Sequence, residues 1–206
     1  MYYVGMDTES LIVDGGPITP AELVDVARNG RSVQIGDNAI DLMEASRKTV
    51  EAVVASDEAI YGINTGFGAL STTKISRDRL CDLQMNLLRS HAAGAGDPLN
   101  KDIVRGMMVL LAASLCRGHS GVRPILAQCL AGMLNAGVTP VIPSLGSVGA
   151  SGDLAPLSHL ALVLCGEGNA TIGEKTMTGK AAMEKANILP SFHAKRKDLP
   201  SSTGHT

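Results

Sequence analysis

The chemically most suggestive stretch of this 206-residue sequence is Gly146-Ser147-Val148-Gly149-Ala150-Ser151-Gly152-Asp153-Leu154-Ala155-Pro156. Seven of its eleven residues are Gly, Ala or Ser, so the backbone is nearly bare and can fold back where a Cβ would clash. Asp153-Leu154-Ala155-Pro156-Leu157 then turns apolar at helical spacing with a proline in the first turn, which predicts a tight loop feeding a helix N-terminus. Such a loop has three uses. It can simply connect helices. It can cradle phosphate, a weaker reading because no Gly-Lys-Ser/Thr ending follows. Or it can react with itself: attack of the Gly152 amide nitrogen on the Ala150 carbonyl carbon closes a five-membered ring, and loss of two waters leaves Ser151 as an exocyclic methylidene.

Two further segments carry reactive side chains. In Ile60-Tyr61-Gly62-Ile63-Asn64-Thr65-Gly66-Phe67-Gly68, three glycines and an asparagine predict a loop. Its tyrosine either packs its ring against the body of the protein or is carried as a hydroxyl over a site. A Gly-rich nucleotide loop lacks the strand-turn-helix context and the acidic ribose partner. In Asn86-Leu87-Leu88-Arg89-Ser90-His91-Ala92-Ala93-Gly94 the histidine falls at a helix end, where an imidazole usually serves a structural role. His119, His159 and His193 are assigned that structural role.

The run Gly149-Ala150-Ser151-Gly152-Asp153-Leu154-Ala155-Pro156-Leu157-Ser158-His159 resembles the signature of the aromatic amino acid ammonia-lyases. In that family the Ala-Ser-Gly trio cyclises to 4-methylideneimidazol-5-one, so the resemblance implies this cofactor from Ala150, Ser151 and Gly152. The Tyr61 loop is similar to the family's Tyr-Gly-[Ile/Val]-Asn-Thr-Gly-Phe-Gly loop and implies Tyr61 as catalytic base. The Ser90-His91 pair resembles the substrate side-chain segment of the histidine-specific lyases, and implies His91 as the residue that binds the substrate ring. One imidazole can exchange a hydrogen bond with another and reject a ring that offers none. The implied reaction is non-oxidative elimination of ammonia from L-histidine to urocanate, without metal, in a homotetramer whose sites combine several subunits. A phenylalanine or tyrosine lyase or aminomutase is the alternative substrate class. A non-catalytic fragment is the alternative function class.

Bulk properties agree with a helical protein that handles a small molecule. A formal net charge of −2 gives no reason to expect nucleic acid or an anionic membrane as partner. Aromatics are 2% of the chain while small and aliphatic residues abound, which predicts closely packed helices. Cys81, Cys116, Cys129 and Cys165 stand singly, without metal-ligand spacing, and read as reduced core residues of a cytoplasmic protein. The N-terminal Met1-Tyr2-Tyr3-Val4-Gly5-Met6-Asp7 lacks the pattern of a secretion signal, and Arg105 interrupts the best apolar run.

Along the chain, residues 10–18 predict a short strand and a Gly-Gly-Pro turn. Thr19-Pro20-Ala21-Glu22 is a capping box that opens a helix ending before Gly30. Further helices are expected from Asp37 or Asn38 to about Ser56, from a cap at Ser76, from Asn100 to about Arg117, from Ser120 to Gly137, and through Leu157–Leu164 to Gly166. An extended segment at 138–143, a hairpin from Asn169 to Thr178 and a short helix from Lys180 to Ala186 complete the pattern. The fold class is therefore mainly α. By resemblance it is the N-terminal portion of the ammonia-lyase helical fold (fumarase/aspartase-like), stopping before most of the central bundle. Residues 1–190 read as that domain and 191–206 as an irregular tail. Restoring one base before Pro200 lets the tail be read Ala-Phe-Ile-Asn-Gly-Thr-His, which contains the family's Asn-Gly-Thr motif; this implies a frameshift.

Overall fold

The computed structural model describes residues 9–56, 58–66, 72, 73 and 75–190, side chains at 77 and 78 aside. The expectations for Phe67, Gly68 and the tail fall outside these residues.

The chain opens with β1 (Leu11–Val13), α1 (Pro20–Arg28) and β2 (Val33–Ile35), a small unit whose two strands pair in parallel, Leu11 opposite Val33 and Val13 opposite Ile35. Alternation puts those four side chains inside and leaves Ile12 exposed. The capping box forms: Thr19 Oγ1 accepts from the Glu22 amide at 3.3 Å, and Glu22 Oε2 accepts from the Thr19 amide at 2.9 Å. The Thr19 amide and the Thr19 hydroxyl, which donates to the same Oε2 at 2.7 Å, hold the Glu22 carboxyl below the usual carboxylate range.

Four helices then build the body: α2 (Asp37–Ala55), α3 (Arg77–His91), α4 (Lys101–Cys116) and α5 (Pro124–Asn135). The buried stripe of α4 is Val104, Met108, Val109, Ala112, Ala113 and Cys116, small enough for α1, α2 and α5 to pack close around it. Arg105, the charge that breaks the apolar run, has a specific use. Its Nη2 donates to Val26 O at 2.7 Å, Nε to Ala27 O at 3.2 Å and Nη1 to Leu134 O at 3.0 Å. One guanidinium thus serves carbonyls in the last turns of both α1 and α5. Asn135, the last residue of α5, pairs with β2 as a strand would. Its Oδ1 accepts from the Val33 amide at 2.8 Å, and its Nδ2 donates to Val33 O at 2.9 Å.

The remaining elements are β3 (Ala95–Pro98), β4 (Val138–Pro140), β5 (Pro143–Leu145), α6 (Leu154–Leu164), β6 (Asn169–Ile172), β7 (Lys175–Thr178) and α7 (Gly179–Lys185). Strands β4, β6 and β7 form an antiparallel sheet in that order, and β3 pairs antiparallel with β5. α6 packs on α3, and Arg89 of α3 forks onto Glu167, three residues beyond the end of α6: Nε to Oε2 at 3.0 Å and Nη2 to Oε1 at 2.5 Å. That pairing keeps the Glu167 carboxyl below its usual range.

One boundary and two caps differ from expectation. α5 begins at Pro124 rather than Ser120, because a residue before proline is driven out of the helical region and Arg123 is extended (φ −76°, ψ 144°). The side chains of Ser76 and Asn100 occupy N-cap positions without making a capping hydrogen bond. The cysteines are free; burial raises the Cys129 thiol and, with Asp14, pushes Cys116 up to about 11, so both stay protonated. No helix among the described residues is long and apolar enough to cross a membrane.

Candidate active site

The Ala150-Ser151-Gly152 trio sits in the loop between β5 and α6. The loop turns at residues 149–151, flanked by Gly149 and Gly152 with φ of +80° and +71°, a conformation that a side-chain-bearing residue adopts only at a cost. A Cβ on Gly152 would also come within 2.6 Å of Ser147 Oγ. Ala150 and Ser151 are exposed. The helix that follows has Asp153 at its N-cap position, yet no side chain caps it, and Pro156 brings no N–H to its first turn. Its N-terminal end therefore keeps a positive partial charge beside the trio.

His91 is the last residue of α3. Its Nδ1 lies 2.8 Å from Leu87 O and 3.2 Å from Ser90 Oγ, and Ser90 Oγ itself donates to Leu87 O at 2.8 Å. A carbonyl oxygen only accepts, so Nδ1 carries a proton; of the two neutral tautomers, the one that fits keeps its lone pair on Nε2. Ser90 thus helps to set the tautomer of its neighbour.

The structure brings the His91 segment and the trio loop together. Directly after His91 the chain enters β3, which pairs with β5: Ala95 faces Leu145 and Pro98 faces Pro143. Where the two segments cross, there is little room for side chains. A Cβ on Gly146 would lie 3.2 Å from Gly94 Cα and 3.3 Å from Ala155 Cβ, and a Cβ on Gly94 would lie 3.0 Å from His159 Nε2. The Gly94 amide donates to His159 Nε2 at 3.1 Å. Burial lowers the His159 pKa from its ordinary value, in keeping with a neutral acceptor.

Tyr61 is carried by its own turn between α2 and α3. Asn64, only 2% exposed, holds that turn: its Oδ1 accepts from the Ile60 amide and its Nδ2 donates to Glu58 O, both at 2.8 Å. Its backbone completes the knot by accepting from the Ile75 amide at 2.9 Å. The Tyr61 side chain at the tip is 62% exposed, so its ring is not packed into the body of the chain.

Sequence reasoning placed His159 among structural histidines at helix ends and gave Asn64 no role of its own. His159 instead stands in the middle of α6 and reaches across to Gly94; residue spacing alone contains no signal for a bond spanning 65 residues. A separate cleft lined by Arg47, Met85, Leu88, Arg123 and Cys165 shares none of the candidate residues. Among the described residues no group of three or more His, Cys, Asp or Glu is placed to hold a metal ion.

Residues 18–200 match the family model for aromatic amino acid lyases. A curated relative named histidine ammonia-lyase, from Paracidovorax citrulli (strain AAC00-1), is 49% identical over 195 residues, which are 95% of this chain and 38% of that protein. Among solved structures, histidine ammonia-lyase from Trypanosoma cruzi superposes with a TM-score of 0.79 at 37% identity, covering 88% of this chain and 35% of that one. The ergothioneine-degrading ergothionase of Treponema denticola gives a TM-score of 0.83 at 30% identity, over 89% and 37%. The chain therefore spans less than two fifths of the length of these relatives, and its fold is the corresponding part of theirs.

Proposed function

The chain belongs to the aromatic amino acid lyase family, and on that premise we propose that it carries the electrophile-forming and ring-recognising part of a histidine ammonia-lyase, which eliminates ammonia from L-histidine to give urocanate. One observation carries the reading: the Ser90-His91 segment and the Ala150-Ser151-Gly152 loop meet backbone to backbone at Gly94 and Gly146. A residue that reads the substrate ring and a group that acts on its amine must stand a fixed distance apart, and this crossing fixes it.

The loop suits a 4-methylideneimidazol-5-one made from its own residues. Positive φ at both flanking glycines tightens the turn, the trio is small, and Ser151 is exposed with a hydroxyl to lose. Such a ring supplies an electrophile for the substrate amine that ordinary side chains lack. The chain's own groups do the rest. His91 offers Nε2 to the N–H of the substrate imidazole; a phenyl ring brings no such donor, which would leave Nε2 unpaired. Tyr61 accepts the β-proton. The uncapped end of α6 stabilises negative charge that develops at the trio.

Exposed Leu145, Val148 and Leu154 surround the trio, which supports a site completed by further protein. We read that assembly as a homotetramer, and the location as the cytoplasm on the strength of the free cysteines.

Mass spectrometry and a urocanate assay test the reading together. Ring closure makes the chain lighter by two waters, and L-histidine then yields urocanate, whereas L-phenylalanine and L-tyrosine yield no cinnamate or coumarate. Ser151→Ala restores the unmodified mass and abolishes turnover. A wild-type chain of unmodified mass that forms no urocanate would identify it as a non-catalytic piece.

A further inference from the structure

The exit of α3 leaves three consecutive amides to be satisfied. Ala92 donates to Leu88 O at 3.0 Å and Ala93 to His91 O at 2.8 Å, both within the local chain. Gly94 has turned towards α6 and takes its acceptor from there, His159 Nε2 at 3.1 Å. A side chain on residue 94 would crowd this bond, because its Cβ would meet His159 Nε2 at 3.0 Å and Pro143 Cβ at 3.1 Å and the neighbours would have to give by a few tenths of an ångström. The imidazole can accept this bond in only one form. A ring protonated on Nε2 has no lone pair there, so the bond requires the neutral Nδ1–H tautomer.

We propose that His159 is a positioning residue which, as a neutral Nδ1-protonated imidazole, pins the Gly94 amide and so fixes His91 relative to the helix that follows the Ala150-Ser151-Gly152 trio. The pinned amide lies three positions after His91, and His159 lies eight positions after Ser151 along a short loop and about one and a half helical turns. Two segments more than 50 residues apart in sequence thereby share one rigid reference. The bond stands on the geometry; its bearing on a substrate ring rests on the histidine-lyase reading of His91.

The test uses the 206-residue chain labelled with 15N. Long-range 1H–15N correlations report each histidine's tautomer, and amide exchange reports the Gly94 bond. The expected result is an Nδ1–H tautomer at His159 and a protected Gly94 amide. In His159→Leu, Gly94 exchanges about tenfold faster and the His91 ring resonances shift. His159→Gln, whose side-chain oxygen can accept in place of Nε2, restores both. An Nε2–H tautomer in the wild-type chain overturns the proposal, and this needs no variant to fold. So does a folded His159→Leu chain with unchanged Gly94 exchange or unmoved His91 resonances. Urocanate formation is scored separately: its absence removes the lyase reading without altering any of these signals.

Discussion

His91 and Ser90 show how a neighbour sets the chemistry of a side chain. Two acceptors converge on Nδ1, the Leu87 carbonyl at 2.8 Å and the Ser90 hydroxyl at 3.2 Å, so the proton stays there and Nε2 becomes the acceptor. For an enzyme reading an imidazole N–H, His91→Leu leaves that donor unpaired in the complex. The expected loss is about 1–3 kcal/mol of binding, roughly a five- to 150-fold rise in KM for L-histidine with a smaller change in kcat. Steady-state urocanate kinetics check it. A fall in kcat at constant KM would instead assign His91 to the chemical step. The quoted motif carried the identity of His91, whereas its tautomer depended on where α3 ends.

Among the elements, the ends of helices are where distant parts of the chain are joined. Asn135 terminates α5 and also completes the edge of β2 with two bonds to Val33. Asn135→Ala removes both at once and is expected to cost about 1–3 kcal/mol, read as a Tm lower by several degrees in thermal unfolding. The crossing of β3 over the start of the trio loop is tighter. Gly146→Ala places a methyl 3.2 Å from Gly94 Cα and 3.3 Å from Ala155 Cβ, so β3 and α6 must part by a few tenths of an ångström. The expected cost is about 1–3 kcal/mol. Faster exchange of the Gly94 amide, beyond any global loss of stability, distinguishes local separation from general weakening. Helices announced themselves through capping boxes, prolines and apolar spacing, as at Thr19-Pro20-Ala21-Glu22. Strands of three or four residues such as β2 and β3 carry no comparable periodic signal, because their pairing partners lie far away in sequence.

For the molecule as a whole, acid stability should respond to one half-buried imidazole, His159, before it responds to the carboxylates. Folding lowers the His159 pKa below its unfolded value of about 6.5, so the unfolded chain binds the extra proton first. The stabilisation is complete above that value and declines as pH falls through it towards the lower folded pKa. Glu22 and Glu167, held below the usual carboxylate range by Thr19 and Arg89, lose their contributions only at lower pH. Urea unfolding between pH 7.5 and 5 should therefore show a decline in stability that His159→Gln reduces. An equal slope in the variant would remove His159 from the acid response.

The amino-acid sequence by itself determined the helical class, the order of the main helices and the family motif that contains the trio. These depend on local spacing, on capping and on a motif whose residues are contiguous. It also singled out Tyr61, although the ring's exposure and the Asn64 knot beneath it came only from the fold. Tertiary structure alone decided that Arg105 serves two helix ends, and that the His91 and Ser151 segments meet at two glycines. It alone gave His159 a partner 65 residues away. Each of these contacts joins parts of the chain whose separation no local pattern encodes, and burying the intervening helices is what brings them within hydrogen-bond reach.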